Sequence, residues 1–192
     1  MKETILISLV VIFIYIFLFL NRQNVSYIES YNRNKYMVYK DNDMKAKADM
    51  LEKILNNMMK LKAYLVSNIS TFPEYSTYIK QLDTNLRESK TIVYETEPNS
   101  DLTSYSVNKG EEISFCLKSR KTNTLHDINL LTYVAIHEMA HIACPEIGHS
   151  ELFKKIFAKF AEVAIKIGVY NRVDYGSSPV EYCGMMLSSS II

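Results

Sequence analysis

The sequence predicts an α+β protein, in which an N-terminal transmembrane helix precedes a small domain of helices and a short antiparallel sheet. Three observations support this prediction. The chain begins with an uncharged apolar run, Ile5 to Leu20. Several later segments repeat apolar residues at steps of three and four, the spacing of amphipathic helices. Between them, residues 91–118 alternate apolar and polar side chains, as half-buried strands do.

The composition is that of a globular domain with an apolar segment added. The chain has 192 residues, of which 48% are hydrophobic, and a formal net charge of +1. No basic stripe stands out, so we do not expect nucleic acid as a partner. We divide the chain into an anchor at 1–22, a tether at 23–42, a helical segment at 43–90 and a core at 91–192.

The apolar run near the N-terminus predicts a membrane anchor. A spanning helix needs about 20 apolar residues, with about 17 at the short end, which the run reaches only when Thr4 is included. We therefore predict a single-pass protein that contacts the lipid bilayer through residues 4–20. A cleaved signal peptide is the alternative, but no small-residue cleavage site follows Leu20.

Basic residues predict the orientation of this anchor. More of them follow the apolar run than precede it, which places the C-terminal domain on the cytosolic side. The residues concerned are Lys2 before the run and Arg22, Arg33, Lys35 and Lys40 after it.

Three cysteines are present: Cys116, Cys144 and Cys183. The number is odd, and a chain of this length does not need a disulfide framework to fold. We therefore predict reduced thiols, which fit a cytosolic domain. One disulfide with a remaining free thiol is the alternative.

The segments that follow the anchor are assigned from periodicity and turn residues. Residues 23–42 are rich in Asn and Tyr without a period, which is typical of a tether. Residues 43–69 have a helical period with Asp43 as a plausible N-cap, and a shorter helix is predicted at 75–86. Strands are predicted at 91–95, 103–108 and 112–118, as an antiparallel meander with a hairpin around Gly110.

Two further helices are predicted in the C-terminal half. Asp127 can cap a helix that runs to Ala143, because Pro145 disfavours helix in the residue before it. Ser150 can cap a strongly amphipathic helix through Ile167, with Gly168 as its C-cap glycine. Residues 169–192 are predicted to be a loop.

The main chemical signal is the segment His137-Glu138-Met139-Ala140-His141 on the first of these helices. Residues four apart lie on one helix face, so both imidazoles can bind a single zinc ion at about 2.0–2.1 Å. Zinc lowers the pKa of a bound water, and Glu138 can take the proton of that water as it attacks a carbonyl. A chance match is the alternative; ordinary residue usage would produce it in roughly one chain in a hundred of this size, or fewer.

A catalytic zinc usually has three protein ligands and one open position. We predict His149 as the third, because Pro145 and Gly148 can turn the chain back towards the first helix. Cys144 and Glu146 are the competing donors, and binding by Cys144 together with His149 would make a closed, structural site. His126 lies about three helical turns before His137, so a surface or capping role is predicted for it.

Two tyrosines in the tail, Tyr175 and Tyr182, could donate a hydrogen bond to a developing oxyanion. The chain has 14 tyrosines, so packing is the alternative role for each. The strand at 113–118 precedes the metal helix and could line the cleft, pairing with an extended substrate; an ordinary sheet strand is the alternative.

The motif and its surroundings resemble a known family. The segment HEMAH followed by Gly148-His149 and Phe153 is similar to the zincin metallopeptidases. Closer still are the small WLM-like metallopeptidases of large DNA viruses and algae. This similarity runs from about Tyr105 to Gly184 and includes SYSVNKGEEISFCLKS, YVAIHEMAHIACPEIGHSELF and DYGSSPVEYCGM.

The resemblance implies a zincin-like core in a viral protein of the virion or the host membrane. It also implies zinc on His137, His141 and His149, with Glu138 as the catalytic base and a protein or peptide as the substrate. One departure is the spacing, because seven residues separate His141 from His149 and WLM proteins have fewer. WLM relatives act on proteins crosslinked to DNA, and the predicted anchor and neutral charge of this chain argue against transferring that substrate.

Two other functions compete with the peptidase. One is a non-catalytic membrane or virion protein with a structural zinc, which predicts a fourth protein ligand. The other is a metal-free interaction module that retains only the zincin shape. The complete motif favours the enzyme, because neither rival needs Glu138.

Overall fold

A computed structural model of the chain describes residues 2–22 and 24–192. An α+β fold, as predicted, is confirmed. The helices are α1 (Lys2–Arg22), α2 (Met44–Ser67), α3 (Ser76–Asn85), α4 (Ile128–Ala143) and α5 (Glu151–Lys166). The strands are β1 (Val25–Glu29), β2 (Lys35–Tyr39), β3 (Ile92–Glu95), β4 (Tyr105–Val107), β5 (Glu112–Phe115), β6 (Val180–Tyr182) and β7 (Met185–Leu187). Short 3-10 turns at Ile69–Thr71 and Pro73–Tyr75 join α2 to α3.

The N-terminal segment is helical, but the predicted membrane anchor is wrong. Across residues 2–22 and 24–192, no helix is both long and apolar enough to cross a membrane. The uninterrupted apolar run has 16 residues, and at about 1.5 Å per residue it spans about 24 Å of a hydrocarbon core that is roughly 30 Å thick. The single-pass localisation and the orientation derived from it are corrected with it, whereas a bilayer contact through residues 4–20 stays a prediction.

The segment expected to be a tether contains a β-hairpin of the main sheet. Strands β1 and β2 pair antiparallel, with Tyr27 opposite Met37. The buried carboxylate of Glu52 on α2 accepts hydrogen bonds from the side chains of this hairpin. These donors are Ser30, Asn32, Asn34 and Tyr36, at 2.8–3.0 Å. Short strands in an Asn- and Tyr-rich segment lack a clear period, which is why the sequence suggested a tether.

The main sheet is mixed, so the predicted antiparallel meander is wrong. Its strand order is β1-β2-β3-β5-β4, and β3 pairs parallel with both β2 and β5. Only β4 and β5 form the predicted hairpin, through a turn in which Gly110 has a φ of +108°. Parallel neighbours require a crossover, and α2 and α3 form the one between β2 and β3. In this order β4 lies at the edge of the sheet.

Helices α2, α3, α4 and α5 pack around one hydrophobic core with the sheet. The two predicted N-caps of the C-terminal half are present: the Asp127 carboxylate accepts from Asn129 N–H, and the Ser150 hydroxyl accepts from Phe153 N–H. Asp43 does not cap α2 through its side chain; it forms an ion pair with Lys118 at 2.7 Å.

The tail, predicted to be a loop, forms a second small sheet. Strands β6 and β7 pair antiparallel, with Tyr182 opposite Met185. The two residues between them, Cys183 and Gly184, have φ values of +50° and +92°. A two-residue hairpin turn of this kind usually contains Asn or Gly, so a cysteine at its first position hid the turn from sequence analysis.

Two of the cysteines, predicted to be reduced, form a disulfide. It joins Cys116, at the end of β5, to Cys183 in the β6–β7 turn, 67 residues away. Cys144 is free and buried. The pairing depends on the position of the tail against the main sheet, which spacing along the chain does not reveal.

Candidate metal centre

Three histidines meet at the C-terminal end of α4. His137 and His141 lie one turn apart on that helix, and His149 lies on the loop before α5. Their Nε2 atoms form a nearly equilateral triangle with separations of 3.1 Å (137–141), 3.2 Å (141–149) and 3.1 Å (137–149). The structure thus brings together the three histidines that the sequence predicts as ligands.

The triangle fits a single metal ion. A tetrahedral zinc ion at about 2.0–2.1 Å from each nitrogen requires nitrogens about 3.3–3.4 Å apart. A neutral imidazole has only one N–H, so three Nε2 atoms that face one another cannot all be paired by hydrogen bonds among themselves. A cation at the centre would satisfy three lone pairs at once.

Local structure explains how His149 reaches the other two imidazoles. Cys144, the C-cap of α4, is extended (ψ +128°), as expected for a residue before proline. Gly148 has a φ of +76°, a conformation that L side chains rarely adopt, and the chain turns back there. Ser150 then starts α5 with a side-chain cap.

Phe153, on the first turn of α5, contacts all three imidazoles. Its ring centroid lies 4.2 Å from that of His141, 4.9 Å from that of His149 and 5.0 Å from that of His137. Rings packed in this way restrict the orientation of the imidazoles. Helix α5 therefore supports the site directly, in addition to following the loop that carries His149.

The electrostatics of the site favour neutral imidazoles. Burial lowers the pKa of His137 to about 3, with further lowering by His141 and His149. Burial, His149 and the Lys109 ammonium lower the pKa of His141 to about 4. Metal binding requires the neutral form of histidine, so both are ready to bind at neutral pH.

Glu138 is almost completely buried, with 3% of its surface exposed, and lines the same cavity as the histidines. Burial raises the pKa of its carboxyl group to about 7, although a hydrogen bond from Ser106 opposes the shift. A carboxyl group with a pKa near neutrality can both accept and return a proton.

The histidines and Glu138 open into a cavity of about 660 Å³, within the range of roughly 300–1,000 Å³ that is usual for ligand sites. The edge strand β4 forms one wall. Other lining residues include Lys109, Tyr133, Val134, Ile147, Tyr182 and Met185. The strand expected to line the cleft, at 113–118, contains β5, which lies inside the sheet between β3 and β4.

The two predicted oxyanion donors occupy different places. Tyr182 lines the cavity, its hydroxyl bonds to the Ser104 hydroxyl, and its pKa is raised by burial and by the nearby Glu138 carboxylate. Tyr175 lies outside this cavity and packs its ring 5.1 Å from that of Tyr133. The structure therefore brings only Tyr182 to the candidate site.

The competing ligands do not join the triangle. In the ranges that the structure describes, the group that could hold a metal ion at this site contains His137, His141 and His149 but neither Cys144 nor Glu146. The backbone carbonyls of both these residues accept hydrogen bonds from Lys109 Nζ, at 2.5 Å and 3.4 Å.

His126 is buried, with 7% of its surface exposed, and not on the surface as predicted. It forms a second cluster with the disulfide of Cys116 and Cys183.

Three residues shape the site in ways that were not predicted from the sequence. Lys109 donates to the His141 carbonyl at 3.1 Å, in addition to its two bonds to the following loop. Ser106 bonds to Glu138, and Phe153 packs against the imidazoles. The sequence offers a signal only for Phe153, which follows His149 by one helical turn; Ser106 and Lys109 come from a sheet edge and its turn.

Viral proteins are similar to this chain. Uncharacterized protein R325 of Acanthamoeba polyphaga mimivirus is 40% identical over 190 residues, which cover 97% of this chain and 95% of that protein. Uncharacterized protein 136R of Invertebrate iridescent virus 6 is 30% identical over 89 residues, 45% of this chain and 49% of that protein. Uncharacterized protein 042R of Invertebrate iridescent virus 3 is 35% identical over 71 residues, 37% of this chain and 44% of that protein.

Among solved structures, a Wss1 mutant from Saccharomyces cerevisiae matches 53% of this chain and 83% of its own, at 13% identity and a TM-score of 0.37. No protein-family model matches the chain. The similarity to the mimivirus protein extends over nearly the whole length of both chains. This protein therefore belongs to the viral family that includes R325 of Acanthamoeba polyphaga mimivirus.

Proposed function

We propose that this chain is a zinc-dependent metallopeptidase that hydrolyses peptide bonds in a protein or peptide substrate. The observation that carries the proposal is the triangle of Nε2 atoms from His137, His141 and His149, with Glu138 beside it in one open cavity. The sequence HEMAH and its resemblance to zincins point to the same chemistry.

In this proposal the three imidazoles hold the metal ion. Zinc, when bound, supplies a Lewis acid that polarises a carbonyl and lowers the pKa of water. Glu138 accepts the proton of the attacking water and returns it to the leaving amine. Burial raises the pKa of the Glu138 carboxyl group in the metal-free chain, and this direction favours both transfers because a general base works best with a pKa near the working pH. The Ser106 hydroxyl holds the carboxylate in place.

The substrate would lie in the cavity beside β4. An edge strand has unpaired backbone groups, to which an extended peptide can add as a further strand. Tyr182 is our proposed donor to the oxyanion, because it lines the cavity and is close enough to Glu138 for that carboxylate to raise the pKa of its hydroxyl group.

A structural zinc is the alternative function. It requires a fourth ligand from the protein, and the donors that the structure brings within 4.8 Å of one another at this site are three imidazoles. Cys144 is completely buried, whereas the cavity leaves the imidazoles open to a substrate. The geometry of the described residues therefore favours a catalytic site.

The test compares Glu138→Gln with the full-length wild type. The zinc content of each chain is measured by mass spectrometry, and proteolysis is measured on unfolded casein and on a mixed peptide library. We expect Glu138→Gln to keep about one zinc ion and to lose activity by roughly 10²–10⁴-fold, the usual contribution of a general base. Glu151→Gln, the same change at an exposed position on α5, is the matched control and keeps full activity.

Two results would overturn the proposal. If Glu138→Gln bound zinc and cleaved these substrates as fast as the wild type, Glu138 would not be the base. If the zinc-loaded wild type cleaved neither casein nor any library peptide, the structural-zinc alternative would be favoured.

A further inference from the structure

A second group of metal-binding side chains lies outside the cavity. Cys116, His126 and Cys183 have potential ligand atoms within 4.8 Å of one another, and all three residues are buried. They come from three parts of the chain: the end of β5, the approach to α4, and the β6–β7 turn. The disulfide between the two cysteines is one state of this group. The proposed peptidase chemistry uses none of the three.

We propose that the reduced chain binds a second, thiolate-ligated metal ion, Zn²⁺ or a cation of similar softness, through Cys116, His126 and Cys183. Two thiolates and one imidazole are ligands that zinc prefers. The same three side chains would then hold the tail against the main sheet in either state, by a disulfide or by a metal ion.

The His126 side chain is already aimed at the sulfur atoms. Its Nε2 lies 3.4 Å from Cys183 Sγ and accepts a hydrogen bond from Cys183 N–H at 3.3 Å, so this nitrogen carries the lone pair. In tetrahedral coordination by zinc, a nitrogen and a sulfur ligand lie about 3.5 Å apart. Metal binding would therefore leave this nitrogen–sulfur distance nearly unchanged, while the lone pair of Nε2 would pass from the Cys183 N–H to the metal ion.

A fourth position is available beside the two sulfurs. The carbonyl oxygen of Lys118 lies 3.4 Å from Cys116 Sγ and 3.6 Å from Cys183 Sγ. This oxygen, or a water molecule in its place, would complete four-coordination. Metal binding requires separation of the sulfurs to about 3.8 Å, the spacing of two thiolates on a zinc ion, and release of the hydrogen bond between the Cys183 N–H and His126 Nε2.

The two states exclude each other, because a sulfur in the disulfide cannot also be a thiolate. Reduction takes two electrons and two protons from two small-molecule thiols, which become a disulfide while Cys116 and Cys183 become thiols. The metal ion then displaces the two thiol protons. No other oxidant or reductant is needed.

Small molecules can approach the cluster from two sides. Cys116 lines a cavity of about 640 Å³ that also contains Lys118 and Arg120. His126 lines another, of about 430 Å³, together with Glu181. Neither of these cavities is lined by the three histidines of the candidate metal centre, so the proposed second site is spatially separate from it.

The test measures metal binding by the full-length chain in both redox states. One sample is reduced with a phosphine, which becomes a phosphine oxide, and is desalted without oxygen; the other is kept oxidised. Both are titrated with Co²⁺ and, separately, Zn²⁺. We expect about two metal ions per reduced chain and about one per oxidised chain. Only the reduced cobalt sample should show sulfur-to-cobalt charge-transfer absorption in the near ultraviolet.

Variants assign that absorption to residues. Cys183→Ser should abolish it, and His126→Ala should weaken metal binding in the reduced chain. Cys144→Ser, which removes the remaining thiol, should leave the charge-transfer absorption unchanged. His137→Ala should lose the metal of the three-histidine centre and keep the thiolate band, so failure of the peptidase proposal and failure of this one give different results.

A reduced wild-type chain with three titratable thiols and no thiolate–cobalt band would overturn the proposal. The comparison of redox states needs no substitution, so it decides the question even if Cys183→Ser does not fold. A band that disappeared in Cys144→Ser would also overturn it, because the sulfur would then belong to the other site.

Discussion

The ring of Phe153 lies against the His141 imidazole, with centroids 4.2 Å apart and planes inclined by 27°. The same ring meets His137 edge-on at 5.0 Å. Helix α5 thus contributes a support for the candidate metal ligands, although none of its own side chains belongs to the three-histidine group. In metal sites, the groups that orient the ligands affect affinity almost as strongly as the ligands do.

Substitution of Phe153 should therefore weaken zinc binding without removing a ligand. We expect Phe153→Leu to lower zinc affinity by about 10-fold or more, because the imidazoles lose the surface that restricts their rotation. Affinity is measured by competition with a chromophoric chelator. Phe160→Leu, the same change in the core of α5, is the control: it should lower stability and leave zinc affinity unchanged. Equal affinities in the two variants would show that Phe153 is only a packing residue.

Lys109 should be a positioning residue for the loop that carries His149. Its ammonium group donates to the carbonyls of His141, Cys144 and Glu146 at 3.1, 2.5 and 3.4 Å. We expect Lys109→Met to lower zinc affinity by about tenfold, because the last carbonyls of α4 lose a charged donor.

Lys109→Arg, which retains a charged donor, should recover part of the affinity, and Lys90→Met, at an exposed position, should have no effect. The measurement is the rate of zinc loss to a chelator. If Lys109→Met lost zinc no faster than the wild type, these hydrogen bonds would have no role in holding the loop that carries His149.

Ile147 should contribute to substrate binding, if the proposed peptidase activity holds. It is 96% exposed and lines the cavity, two residues before His149 in the loop between α4 and α5. An exposed apolar side chain at a cavity rim can bury its surface against an apolar group of the substrate, which strengthens substrate binding. We expect Ile147→Asp to lower kcat/KM on apolar peptides by about tenfold, the usual effect of one lost apolar contact.

Zinc content should not change in this variant. Leu102→Asp provides the control, since Leu102 is 56% exposed and lies outside the cavity lining. Identical kinetics in the two variants would place Ile147 outside the substrate site.

Glu52 should make stability depend on pH. Burial raises the pKa of its carboxyl group, but the hydrogen bonds from Asn32, Ser30, Asn34 and Tyr36 outweigh burial and hold the pKa below its ordinary value of 4.5. The folded chain thus favours the carboxylate more than the unfolded chain does. This stabilisation is present in full above pH 4.5 and is lost as the pH falls through the lower folded value.

We expect Glu52→Gln to lower the free energy of unfolding by about 1–3 kcal/mol at pH 7, the usual worth of hydrogen bonds to a charged group. The difference from the wild type should shrink as the pH falls below 4.5. Urea titrations at several pH values measure it. Glu88→Gln, at an exposed position, is the control. A difference that stayed constant down to pH 2 would mean that the carboxylate charge is not what the hairpin recognises.

Local signals were sufficient for part of the fold. Asp127 and Ser150 cap α4 and α5 through bonds to residues two or three positions away, so the sequence contains the whole signal for where these helices begin. The i, i+4 spacing of His137 and His141 also follows from one helix. The order of the strands could not be predicted, because neighbours such as Met37 and Tyr94 are brought together by a long crossover.

The sequence by itself therefore determined the helices of the core, the β4–β5 hairpin and the choice of His137, His141, His149 and Glu138 as candidate residues. Only the tertiary structure decided that residues 25–39 belong to the sheet and that Cys116 is bonded to Cys183. It also decided that Lys109 and Phe153 contact the candidate ligand His141. The physical reason is range: caps and helix faces depend on neighbours within a turn, whereas strand order, disulfides and the surroundings of a site depend on how distant segments pack into one core.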